Sequence, residues 1–129
     1  MSGYITDIEK KTLENDNFRE VLFTGPHSQL VLMTLQPGEE IGTETHNGID
    51  QFIRIESGHG RSVLNGEEHE LHDGSAVVIP SGTEHNIINV SDIAPLKLYS
   101  IYSPPEHPDG TIHRTKAEAE AYEKEHHRE

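Results

Sequence analysis

Apolar positions along this chain gather in short runs, parted by clusters of Gly, Pro, Asn, Asp and Ser. Residues 18–24 (FREVLFT) and 29–35 (QLVLMTL) are two such runs separated by GPHS, and both predict strands bounded by turn formers. Pro37-Gly38 closes the second run. QFIRIES at 51–57 sets Phe52, Ile53 and Ile55 in a β-compatible stretch closed by Gly58 and Gly60. RSVLNGEEHEL carries Asn65-Gly66, the pair that favours a two-residue type I′ hairpin turn. Asp73-Gly74 predicts another turn, AVVIP a buried strand ending at Pro80, and Ser81-Gly82 a further turn before HNIINV and LKLYSIY. About eight to ten short strands spaced by turns is the pattern of an all-β sandwich or barrel.

The texture changes after Tyr102. SPPEHPDGTIH holds three prolines and a glycine, which predicts an irregular arm laid over the body. TKAEAEAYEKEHH follows, with Thr115 and Glu118 spaced as a capping box. Its alanines favour helix, and Glu120 stands four residues before Lys124. Ala117, Ala121 and Tyr122 form the expected apolar stripe. So thin a stripe predicts a peripheral helix.

Composition narrows the class. A chain of 129 residues is expected to form one domain that buries roughly two thirds of its unfolded surface. With 32% hydrophobic and 5% aromatic residues, the core must be lean and aliphatic. A mean hydropathy of −0.66 and the lack of a long apolar run argue against a transmembrane helix. The first residues, MSGYITDIEKKTLENDN, contain no apolar stretch of the secretory-signal kind. Zero cysteines exclude disulfides and thiolate metal sites, and a cytoplasmic location is the expectation. The net charge of −13 disfavours nucleic acid and anionic membranes as partners, and Lys10-Lys11 is the longest basic run.

The candidate chemistry starts at GTETHNGIDQF, residues 42–52. In a strand Glu44 and His46 point to the same side, and His85 follows a Pro-x-Gly turn that aims its ring from a neighbouring strand. Buried carboxylates and imidazoles need a partner, which a divalent cation supplies. The spacing Gly38, Glu44, His46, Gln51, Gly58 and the later set Gly74, Pro80, Gly82, His85, Asn89 resemble the two motifs of the cupin family. Those motifs read G-x5-H-x-H-x4-E-x6-G and G-x5-P-x-G-x2-H-x3-N. The second is met at all its fixed positions. The first has Glu44 where the leading histidine belongs and Gln51 where the glutamate belongs.

The resemblance implies a double-stranded β-helix, a jelly-roll-like barrel over about 18–102, with the arm and a short helix over 103–129, all in one domain. It also implies one divalent metal ion (Zn, Mn, Fe or Ni) held by Glu44, His46, Gln51 and His85. The two exchanges cancel in charge and trade one nitrogen for an oxygen, which makes the site harder. Asp50 would replace Gln51 only if a bulge turned it inward. A metal-free hydrogen-bonded cluster of Glu44, His46 and Gln51 is the bland counterpart. Asn89 reads as structural, and Gly38, Gly58, Gly74, Gly82 and Pro80 as turn formers first. His59, His69 and His72 are expected at the surface. His107 and His113 flank the arm and are expected to be solvated unless the arm caps the barrel. His126 and His127 suit the C-terminus of a helix. Arg54 is expected to serve a surface pair or a subunit contact.

The whole chain looks like small bacterial cupins of the mannose-6-phosphate-isomerase-like kind. By that resemblance it is expected to be a metal-dependent enzyme, isomerase or lyase in type, acting on a small oxygenated, sugar-like molecule. The alternatives are a non-haem-iron dioxygenase and a non-catalytic small-ligand sensor. No basic cluster that would grip a phosphate is visible along the chain. A homodimer is expected, with the strands over 18–35 as edges needing cover.

Overall fold

The computed structural model describes residues 2–126. Nine strands and two helices follow one another as α1 (Ile8–Glu14), β1 (Arg19–Thr24), β2 (Gln29–Leu35), β3 (Asp50–Ser57), β4 (Gly60–Leu64), β5 (Glu67–Leu71), β6 (Ala76–Ile79), β7 (His85–Asn89), β8 (Leu96–Ser103), β9 (Ile112–His113) and α2 (Lys116–Glu125). They form a six-stranded sheet in the order β6-β3-β8-β2-β1-β9 and a three-stranded sheet in the order β5-β4-β7. All the strand pairings are antiparallel. Isolated bridges from Glu40 to Ile88 and from Glu44 to His85 run the 40–44 segment alongside β7. The all-β, double-sheet architecture expected from the strand pattern is the one observed.

Alternation decides which side chains meet between the sheets. In β8 every second residue from Leu96 to Tyr102 is buried, and β3 does the same with Gln51, Ile53 and Ile55. Met33, Leu35, Ile53, Ile55, Ile87, Leu96 and Leu98 are fully buried, each contributing about 1.5–3 kcal/mol of transfer free energy. Gly58 and Gly60 stand against Leu96. A Cβ at Gly58 would meet the Pro95 carbonyl at 2.7 Å and one at Gly60 a Leu96 methyl at 2.9 Å. At Gly58, whose φ is +115°, backbone and packing both require glycine. The hairpin between β4 and β5 turns through Asn65 and Gly66, both at positive φ, as the Asn-Gly pair predicts.

Five expectations need correction. The strand at 76–79 is an edge with Ala76 and Val78 exposed and only Val77 and Ile79 buried; it pairs with β3 alone. The strands at 18–35 are not edges, since β2 lies between β8 and β1 and the short β9 covers β1. The arm is therefore not wholly irregular. In α2 the buried residue is Ala119, whereas Ala117 and Ala121 are exposed, because the helix turns a different face to the barrel. Its Thr115 hydroxyl accepts from Glu118 N as expected, but Glu118 reaches back to Arg114 N, one residue beyond a reciprocal capping box.

The helix α1 has little signal in the sequence. Asp7 caps it by accepting from Lys10 N at 3.1 Å, and within it only Thr12 is buried, so its apolar period is faint. The arm is held by Gln29, which is 1% exposed. Its Nε2 donates to the His107 carbonyl and Thr24 Oγ1, and its Oε1 accepts from Glu106 N and His107 N. Among the described residues no helix is long and apolar enough to cross a membrane.

Candidate metal centre

Backbone pairing brings the first two acidic and imidazole groups of the site together. Glu44 N donates to the His85 carbonyl at 2.9 Å and His85 N returns the bond to Glu44 O at 2.8 Å. Asn86 fixes the same segment from β7, accepting from Gly42 N at 2.8 Å and donating to Glu40 Oε1 at 2.9 Å. His46 lies two residues on, with its carbonyl accepting from Gly82 N at 2.9 Å. The turn at 80–82 thus locks both halves of the site. Residues 41–46 form no regular strand beyond the bridge at Glu44, yet Glu44 and His46 reach the same interior, as period two requires.

One donor atom from each of Glu44, His46 and His85 falls within 4.8 Å of the others. Glu44 Oε1 is 3.5 Å from His46 Nε2 and 4.0 Å from His85 Nε2. His85 Nδ1 is 2.9 Å from the Thr83 carbonyl. A carbonyl can only accept, so Nδ1 carries the proton and Nε2 of the neutral ring is left as a lone pair. That lone pair is buried, has no hydrogen-bond partner among the described residues, and faces a carboxylate oxygen. Two acceptors turned towards each other call for a cation between them, either a proton on the imidazole, whose charge then helps to hold Glu44 ionised, or a metal ion. Separations of this size leave room for an ion bound at about 2 Å from each donor.

Gln51 enters the interior from β3, 4% exposed. Its Nε2 donates to Ser100 Oγ at 2.9 Å, which leaves Oε1 as a buried acceptor with no hydrogen-bond partner among the described residues. It lies opposite Tyr102 across the β3–β8 pairing, and the Tyr102 ring meets the His46 ring edge-on at 6.0 Å between centroids. An amide oriented by its nitrogen, with its oxygen unspent, fits a fourth oxygen donor. Asp50 does not compete for that place: it is exposed and accepts from Ser81 N at 2.9 Å.

The site also contains groups that the sequence pattern missed. Glu106, brought in on the arm by Gln29, sets Oε2 3.6 Å from His46 Nδ1. Its signal, a lone acid among prolines, is indistinguishable from a solvated loop. His107 packs edge-on to Tyr102 at 5.1 Å and is half-buried, so the expectation of a solvated ring fails there. The arm does cap this interior. His113 is likewise only partly exposed, whereas His59, His69 and His72 are at the surface. His126 stacks on Tyr122, and His127 lies outside the described residues. Arg54 pairs with Glu56 at 3.8 Å. Asn89 is structural, donating to the Leu35 and Ala94 carbonyls.

Electrostatics favour an ionised Glu44. Burial raises its carboxyl, but the His46 hydrogen bond and the charges of His46, Arg19 and His85 outweigh that and hold it below the ordinary carboxylate value. The Tyr102 hydroxyl is pushed the other way, by burial first and then by Glu44 and Glu106, against Arg19 and Ser100. It stays a neutral phenol.

The cupin domain family matches residues 31–102. The uncharacterized protein YrkC of Bacillus subtilis is 48% identical over 126 residues, covering 93% of this chain and 67% of that protein. An uncharacterized protein of Acanthamoeba polyphaga mimivirus is 46% identical over 112 residues, 84% of this chain and 70% of its own. The crystal structure of BH2720 from Bacillus halodurans superposes with a TM-score of 0.89 at 46% identity, covering 92% of this chain and 93% of that one.

Proposed function

This chain belongs to the cupin family, and from that premise we propose that it holds one divalent metal ion between Glu44, His46 and His85, with Gln51 Oε1 as a further donor. The ion would serve a metal-dependent reaction of isomerase or lyase type on a small oxygenated, sugar-like molecule. The observation that carries this is the convergence of a carboxylate and an Nε2 lone pair with nothing of opposite sign between them. Bound there, the ion supplies Lewis-acid polarisation of a carbonyl or hydroxyl oxygen.

The surrounding residues each hold something in place. Thr83 sets the His85 tautomer, Ser100 orients the Gln51 amide, and Asn86 anchors the strand segment that carries Glu44. Tyr102, a neutral phenol, can donate a hydrogen bond to a ligand oxygen but does not compete as an anion. The arm over 103–113 excludes water from the His46 side, since Gln29 ties it to β2. Barrel and arm thereby act as one domain.

A second reading has its own support. With the Gln51 amide tied to Ser100, what remains is two histidines and one carboxylate, the donor set of non-haem-iron oxygenases. Oxygen uptake with Fe(II) but none with Zn would favour it. The test common to both is metal analysis of protein purified without a His tag or added metal. One ion per chain is expected, lost on chelation together with turnover. A chain that stays empty after incubation with Zn, Mn, Fe(II) and Ni overturns the metal reading, and full occupancy without turnover would leave a binding module.

A further inference from the structure

A second buried charge lies beside the metal cluster. Arg19, at the start of β1, is 6% exposed, and burying a guanidinium without a partner is costly. Among the described residues its Nε has no hydrogen-bond partner and no carboxylate approaches it within 4.0 Å. The guanidinium lies over the face of the Phe18 ring, 5.3 Å from Cζ, and its charge reaches Glu44, Tyr102 and His113 only through space. Arg19 lines a cavity of about 320 Å³ together with Phe18, Ile41 and Glu44. The cavity is roofed by α2 through Lys116, Ala119, Glu120, Glu123 and Lys124. Those five positions recur at three and four residues, so they form one face of the helix. That explains why α2 buries Ala119 and leaves its other alanines in water.

We propose that Arg19 anchors the carboxylate of a small hydroxylated organic acid in this cavity, with the other end of the acid directed past Glu44 to the metal cluster. A guanidinium fork matches a carboxylate through two parallel hydrogen bonds, and Arg19 has its donors unspent. The volume suits a ligand the size of about ten water molecules, at about 30 Å³ each. Arg19, Lys116 and Lys124 face Glu44, Glu120 and Glu123 around the cavity, so the charges cancel. Balanced walls accept a monoanion and resist a phosphate dianion, and the acidic roof residues can accept from ligand hydroxyls. Glu44 lines the cavity and belongs to the metal cluster, which joins the two spaces. Only the placement of the far end rests on the metal reading.

The test is calorimetric titration of the wild-type protein, R19Q and R19K with glycerate, D-gluconate, neutral D-glucose and inorganic phosphate, each with and without bound metal. At least one acid should bind wild-type protein tenfold or more tighter than glucose or phosphate. R19Q should lose that preference, and R19K should recover only part of it, because an ammonium cannot fork. Metal content should be equal in all three proteins. Neither acid binding, phosphate binding more tightly, or R19Q matching wild type would overturn the proposal. If R19Q does not fold, R19K and the acid-against-glucose comparison in wild type decide it. Arg19-dependent acid binding in a chain that takes no metal would sink the metal reading and leave this one standing. Full metal occupancy with acid binding indifferent to Arg19 would do the reverse.

Discussion

The two ends of the barrel bury polar side chains for opposite purposes. At the end where β2 meets β8 through Leu35 and Leu96, every Asn89 side-chain group is spent. Its Nδ2 serves the Leu35 and Ala94 carbonyls, and its Oδ1 accepts from Ser91 N. Nearby, Thr34 donates to the Asn15 carbonyl and accepts from Asn15 Nδ2. At the other end Gln51 Oε1 and His85 Nε2 are buried with no hydrogen bond among the described residues, and on the flank so is Arg19 Nε. A closed polar network stabilises, whereas open valences in a dry interior wait for a ligand. The motif places His85 and Asn89 four residues apart on one strand, and only their partners tell which role each has.

Substitutions should separate the two ends. The largest effect is expected at the open end: His85→Ala should weaken metal binding by at least about a hundredfold, roughly 2.7 kcal/mol, read by metal titration. The same variant without metal should lose only about 1 kcal/mol in urea unfolding, because a single side-chain hydrogen bond, from Nδ1 to the Thr83 carbonyl, goes with the ring. At the closed end the pattern should invert. Asn89→Ala strands two carbonyls and one amide, so a loss of about 2–3 kcal/mol in urea denaturation is expected, with one ion still bound. Equal loss of metal in both variants would erase the contrast.

Two smaller effects sharpen it. Gln51→Glu restores a carboxylate beside Ser100, whose hydroxyl can turn to donate. Metal affinity should rise about tenfold, or about 1.4 kcal/mol, while the metal-free protein loses stability through the added buried charge. The smallest effect concerns acid. Glu44 in the metal-free protein sits below its ordinary value of 4.5, so the stability it contributes is present above that pH and lost as pH falls through the lowered value. Under a chelator, Glu44→Gln should flatten the stability curve on that acid side, measured by thermal unfolding between neutral and acidic pH.

Most of the fold was legible because period two and turn chemistry are local. The Asn65-Gly66 hairpin and the alternation in LKLYSIY specify strand and face without reference to anything distant. The helix α1 was not legible, since Thr12 is its only buried residue and a polar residue gives no apolar period. Strand position in the sheet was not legible either: AVVI reads as a buried strand but lies at an edge, and QLVLMTL reads as an edge but lies inside. Neighbours in a sheet are chosen by long-range pairing, which leaves no mark within seven residues.

The candidate site divides the same way. Glu44, His46, Gln51 and His85 stand out through spacing, because turn glycines and prolines hold fixed distances along the chain. Glu106, His107 and Arg19 do not, for they reach the interior only after the arm docks on Gln29 and α2 closes over β1. Along the chain Arg19, Lys116 and Lys124 are scattered and form no basic cluster. The sequence by itself determined the strands, the turns and the donor atoms, all of which follow from neighbours a few residues apart. Which buried donors would be left without a partner was decided only by tertiary packing, since that depends on groups nearly a hundred residues away.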